Sequence, residues 1–259
     1  MKKHTLLTFS ALIISQSSWG FTAYDNMNVF PGGVSAYSDP AIAMNLIGYL
    51  SDRDPNIGQT LAEPIVTTGD LPIVGLNWLG SGVNYMLDAL GNVTFPVSPG
   101  TAPPSVATFG VGFIDMSNPA NPTYVDTNPA APGNQAYATL SGVTSQWLGT
   151  TNFYGAEIHS MSGAFSNKFT LPAGSYLVEL FADTSGSVGE AFVWQNSYVD
   201  WMNGYNGPGP GKPTIIASDG TFSSTFYESN MALQIVVPEP SRCSLILFAV
   251  CMLCLKRKR

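Results

Sequence analysis

Between residues 21 and 237 the chain is written in short stretches of period-two alternation, each closed by Gly, Pro, Asn or Ser. Val74, Leu76 and Trp78 alternate with Gly75 and Asn77, and Phe109, Val111 and Phe113 alternate with Thr108, Gly110 and Gly112. After the turn Pro172-Ala173-Gly174, Tyr176, Val178 and Leu180 fall on one face and Glu179 on the other. Met231, Leu233, Ile235 and Val237 share a face in the last stretch. Successive side chains of a strand point to opposite sides, so each stretch buries one side and solvates the other. The pattern predicts an all-β body, mainly an antiparallel β-sandwich or jelly-roll-like fold.

Helices are few. Asp39 is a good N-cap, Pro40 suits a first turn, and Ile42, Met44, Leu46, Ile47 and Leu50 give an apolar face that predicts a helix ending near Asp52. Met86 to Leu90 fits either a second short helix or a strand. Residues 96–104 and 117–134 are rich in Pro, Asn and Ala and read as long surface loops. There is no internal repeat.

Both ends of the chain differ from this body. Lys2 and Lys3 precede a mostly apolar run, Leu6 to Ile14, and Ser18-Trp19-Gly20 puts small residues where a signal peptidase reads. Residues 1–20 are therefore expected to be a secretory signal helix cut after Gly20, with Ala23 the next candidate. At the other end Pro238-Glu239-Pro240 is followed by an apolar run, Ser244 to Leu255, and by Lys256-Arg257-Lys258-Arg259. The apolar run partitions into lipid as a transmembrane-like helix, while the cations stay on the cytoplasmic side. The prolines ahead of it hold an extended segment that suits a protease.

The order of Pro-Glu-Pro, apolar run and basic cluster resembles the PEP-CTERM sorting signal, over residues 238–259 only. That resemblance implies an exosortase, a membrane-embedded cysteine protease, as the partner that removes the tail. It also implies a Gram-negative source that makes exopolysaccharide, transient anchoring in the inner membrane, and final residence at the cell surface or in an extracellular matrix or biofilm. The expected organisation is thus signal peptide 1–20, exported domain 21–237 and sorting tail 238–259. An uncleaved single-span membrane protein differs only in the fate of the tail.

Composition narrows what the body does. Of ten Lys plus Arg only Arg53, Lys168 and Lys212 lie outside the two ends, while sixteen of seventeen acids lie between Asp25 and Glu228. Three cations against sixteen acids give a strongly acidic body, which repels phosphate backbones and excludes nucleic acid as a partner. Cys243, Cys251 and Cys254 all belong to the tail, so the body has no disulfide, thiolate metal site or cysteine nucleophile.

Catalytic motifs are missing. His159 is the one histidine of the body, which rules out a multi-histidine zinc site, and there is no Gly-x-Ser-x-Gly elbow. Gly211-Lys212 is followed by Pro213 rather than Ser or Thr, so it is no phosphate loop. Glu157 and His159 share a strand face, where a satisfied structural histidine outweighs an acid–base pair. The leading expectation is a non-catalytic exported surface or matrix protein. The runner-up is a secreted carbohydrate-active hydrolase with two carboxyl groups about 5–10 Å apart.

Two constellations are candidate sites. Asp52, Asp54, Asn56 and Glu63 occupy positions 1, 3, 5 and 12 of a calcium loop, but Ile57 stands where such a loop needs Gly and Pro64 opposes an exiting helix. A solvated polar turn is the weightier reading, and no other cofactor is expected. Trp194, Tyr198, Trp201 and Tyr205 fall at steps of four, three and four before a Gly/Pro loop. Exposed, these rings would stack sugars of a polysaccharide; buried, they would be ordinary core.

Overall fold

The structure, a computed structural model, describes residues 21–27, 33–44, 46, 48–94, 102–104, 107–128, 135–186, 189–197, 213–224 and 230–238. The signal segment, Glu239, Pro240 and the rest of the tail, with Lys256, Arg257, Lys258 and Arg259, lie outside the described residues. Among the described residues no helix is long and apolar enough to cross a membrane.

The described residues fold as antiparallel β-structure with two short helical turns. The strands are β1 (Phe21–Asp25), β2 (Gly48–Leu50), β3 (Gln59–Thr67), β4 (Leu71–Asn84), β5 (Met86–Leu87), β6 (Val93–Thr94), β7 (Thr108–Asp115) and β8 (Thr123–Tyr124). They continue as β9 (Tyr137–Thr151), β10 (Glu157–Leu171), β11 (Gly174–Asp183), β12 (Glu190–Gln195), β13 (Thr214–Ala217), β14 (Phe222–Ser224) and β15 (Leu233–Val237). The main order is β1-β15-β4-β10-β9-β7-β11-β3-β13-β14, with β12 between β4 and β2 and with β8 on β7.

β9 joins the two arms of this arrangement. Its first residues, Tyr137–Thr139, pair with β7, and Leu140–Thr151 lies along β10. One apolar cluster takes side chains from both arms: Leu76, Trp78, Phe192 and Leu233 from one, Phe109, Val111, Phe113, Val178 and Leu180 from the other. Ring contacts lock the arms together, with Phe109 5.4 Å from Trp78 and 5.0 Å, edge-on, from Phe192.

The alternation read from sequence explains most of this core, since the named residues of β7 and β11 and Leu233 and Ile235 of β15 face it, whereas Val237 is half-buried and outside the cluster. β4 departs from expectation at one place. Ile73 is fully buried in the core while Val74 is only half-buried. The β10 register slips between Ala164 and Phe169, opposite Gly75 and Ile73, and the slip changes which residue faces inward.

The predicted helix is cut short. The Asp39 carboxylate accepts from the Ala41 N–H at 2.9 Å and Pro40 opens the helix, but α1 covers only Pro40–Ala43, after a 3-10 turn at Gly33–Ser38. Gly48–Leu50 is instead strand β2, paired with β12. A Cβ on Gly48 would stand 2.1 Å from Val193 Cγ1, so the glycine that weakens the helix also permits this close pairing. The 3-10 turn and α1 place Tyr37, Ala43 and Leu46 over Leu79 and Ile158, forming a second apolar cluster.

Met86 and Leu87 form a strand paired with β6, not a helix. The 117–134 region contains β8, whose Tyr124 pairs with Ile114. β9 carries two irregularities against β10, between the pairs Glu157–Thr151 and His159–Trp147 and between Ser162–Thr144 and Ala164–Ser141. Gly149 (φ 82°) and Gly142 (φ 60°) lie in these two places, in a backbone region that favours glycine.

Candidate functional site

Trp194 does not belong to an exposed aromatic platform. It sits on β12, fully buried in the main cluster, and its Nε1–H donates to the Ala232 carbonyl at 2.9 Å. β12 lies between β4 and β2, so a ring there meets core on the inward side. Tyr198, Trp201 and Tyr205 lie outside the described residues.

Exposed rings occur elsewhere, on the β9–β10 hairpin. Trp147, Phe153 and Tyr154 are 54%, 67% and 60% exposed. The Asn152 side chain shapes the turn by accepting from the N–H groups of Tyr154 and Ala156 at 3.0 and 2.9 Å, and Gly155 takes a φ of 79°. The Phe153 N–H donates to the Leu46 carbonyl, which ties the turn to the α1 side of the fold. The Phe153 and Tyr154 rings meet edge-on at 5.2 Å. Three large rings are thus exposed to water on one hairpin. The signal in sequence was Asn152-Phe153-Tyr154-Gly155, aromatics inside a turn motif.

Trp147 lies directly across the ladder from His159. His159 and Glu157 do share a face, with Nε2 3.1 Å from the Glu157 carboxylate, and Nδ1 lies 2.8 Å from Ser145 Oγ. Both ring nitrogens of this buried histidine are thus occupied, as a satisfied structural histidine requires.

The four oxygen ligands read from the calcium spacing separate into two groups. Asp52 accepts the N–H groups of Asp54, Thr184 and Phe192 at 2.9, 3.2 and 2.8 Å. Asp54 accepts from the Asn56 N–H and amide and from the Tyr85 hydroxyl. Glu63 lies on β3 and accepts from Tyr24, Asn26 and the Met231 N–H. A strand starting at Gln59 replaces the exiting helix that the spacing presumes. Among the described residues no three His, Cys, Asp or Glu side chains converge as a metal would need. Burial pushes the Asp52 carboxyl above its ordinary pKa, against the opposing pull of its backbone donors.

A cleft of about 380 Å³ lies on the face of β3 and β11 opposite the main core. At its floor Glu179 is 1% exposed. Its Oε1 accepts from Thr60 Oγ1 at 2.5 Å and from Arg53 at 3.3 Å, and its Oε2 accepts from the Tyr124 hydroxyl at 2.8 Å. The Arg53 guanidinium is held 3.7 Å from the Tyr137 ring centre and 3.8 Å from that of Phe181. Cation–π attraction and the half-buried ion pair therefore favour one arginine rotamer. Burial, then the Glu179 charge, raises the Tyr124 pKa far above its ordinary value, so this phenol stays protonated and donating.

Sequence reading missed this cleft. The outward position of Glu179 was legible from Val178 and Leu180, but its partners come from β3, from β8 and from the turn carrying Arg53. No protein family, curated protein or solved structure matches this chain.

Proposed function

We propose that this chain is an exported surface or extracellular-matrix protein, sorted through an exosortase-type protease, whose β-sandwich-like body binds polysaccharide without catalysing a reaction. The signal segment and the Pro-Glu-Pro, apolar and basic tail support export and sorting. A soluble acidic body without cysteine suits life outside the cell.

The exposure of Trp147, Phe153 and Tyr154 on one hairpin is the observation that carries the binding half. Covering ring faces that stand in water is favourable, so grouped exposed rings suit a partner that covers them. An acidic body favours a neutral partner over a polyanion. Sugar rings, with apolar C–H faces and polar edges, fit such a surface.

Cosedimentation of the exported protein with exopolysaccharide tests this reading. Trp147→Ala and Tyr154→Ala are expected to lower retention while leaving the melting temperature unchanged. Undiminished retention in both variants would overturn it.

A further inference from the structure

The geometry points to a second site: the cleft over Glu179 binds a neutral, hydroxyl-rich small ligand, a single sugar unit or a short oligosaccharide end. The cleft stands on β3, β8 and β11, apart from the β9–β10 turn, and its volume lies within the ~300–1,000 Å³ of small-molecule sites.

The charge pattern selects the ligand. Arg53 is paired with Glu179, and the Asp183 carboxylate feels the same guanidinium, so an anionic ligand meets no uncompensated positive charge. Asp52 and Glu179 line the cleft, yet each already accepts three hydrogen bonds, which leaves no bare carboxylate to draw a cation. Neither carboxylate is presented as a free base either. What faces the cleft is a mixed array of donors and acceptors: the guanidinium, the Tyr124 and Thr60 oxygens, the Gln59 amide and the Ser218 hydroxyl. The guanidinium donates, and the Tyr124 and Thr60 oxygens, whose protons go to Glu179, accept, so together they match hydroxyls, which do both.

The array is also built in advance of any ligand. Glu179 is fully buried, the Arg53 guanidinium sits in the corner formed by the Tyr137 and Phe181 rings, and Tyr124 and Tyr137 brace each other edge-on at 4.9 Å. The rim is stitched by the Ser218 N–H donating to the Gly58 carbonyl at 2.9 Å, with Gly58 and Gly220 at φ 64° and 81°. Two turns from distant parts of the chain are thereby held at one mouth. A polar network fixed before binding avoids the ordering cost that weakens loose sites.

Ligand-detected NMR on the exported protein tests the proposal with methyl glucoside, maltose and cellobiose, set against glucuronate, inorganic phosphate and choline. The neutral sugars are expected to bind, and the charged probes are not. Ser218 is exposed at the rim, so Ser218→Trp fills the mouth without touching the core and is expected to weaken binding about tenfold or more at an unchanged melting temperature. Trp147→Ala is expected to leave cleft binding intact, which separates this site from the hairpin surface. Preference for a charged probe, no neutral sugar bound at tens of millimolar, or binding unaltered by Ser218→Trp would each overturn it.

Discussion

Phe21 and Val237 are cross-strand partners, the first pair of the ladder between β1 and β15. The two expected processing junctions therefore leave the body side by side. Cleavage after Gly20 preserves all of β1, whereas cleavage after Ala23 would remove its first three residues and the pairs Phe21–Val237 and Thr22–Val236. The mature chain is expected to begin at Phe21 and to end near Pro240. Terminal-peptide mass spectrometry of the extracellular fraction checks this, and recovery of intact Lys256–Arg259 there would refute it. Replacing Pro238-Glu239-Pro240 by alanines should hold the chain in the inner membrane.

Glu63 joins β3 to both ends of the body, since Tyr24 and Asn26 follow β1 or lie in it and Met231 precedes β15. Glu63→Ala leaves the buried Met231 N–H and the Tyr24 hydroxyl without this acceptor, at about 1–3 kcal/mol each. A loss of roughly 6–12 °C in melting temperature is expected. A change within experimental error would show that water replaces the carboxylate.

Calcium is expected to leave the melting temperature where it is. Asp52 and Asp54 spend their oxygens on backbone and side-chain donors, and Glu63 belongs to a different network. A site that bound metal in the folded state alone would raise the transition by mass action. A rise at millimolar calcium that Asp54→Ala abolishes would restore the ligand set Asp52, Asp54, Asn56 and Glu63.

Asp52 gives a pH signature. Its folded pKa is raised above the usual 3.8, chiefly by burial, so between the two values the folded state holds the proton more often than the unfolded state. Stability from this group is then complete below the unfolded pKa and is lost as pH rises through the folded value. Urea unfolding from about pH 4 to pH 7 should show the advantage of the natural chain over Asp52→Asn shrinking as pH rises. An advantage that grows with pH would mean the three backbone donors outweigh burial.

Trp194→Ala separates packing from recognition. Removing a fully buried indole and its bond to Ala232 should cost about 3–5 kcal/mol. Polysaccharide retention should fall only as far as the folded fraction falls. Reduced retention by a variant that melts normally would return Trp194 to the binding surface.

Period-two patterning made the core faces of β7, β11 and β15 legible, because a strand buried on one side writes that fact into alternate residues. Local chemistry also made the Asp39 cap legible. Tertiary pairing was not: Gly48 sits in a strand because it pairs with β12, where its lack of a Cβ makes room for Val193, and nothing near residue 48 in sequence records that contact. For the same reason spacing brought Glu63 to Asp52 on paper, while the fold took it to Met231. Trp194, Tyr198, Trp201 and Tyr205 have helical steps, yet Trp194 lies on a strand, where every step of four returns to one face and a step of three does not. The cleft draws Arg53, Tyr124, Tyr137 and Glu179 from four separate segments, so only the assembled ladder reveals it.

Along Leu140–Thr151 no described strand pairs with the side of β9 turned away from β10. A row of peptide groups without a strand partner is a template on which a neighbouring molecule can build a strand. The two left-handed glycines interrupt that template. Gly142 and Gly149 kink the row at both ends, leaving residues 143–148 as its longest straight run. Any protection of this edge is then a matter of backbone shape rather than charge, since the strand holds no Lys, Arg, Asp or Glu.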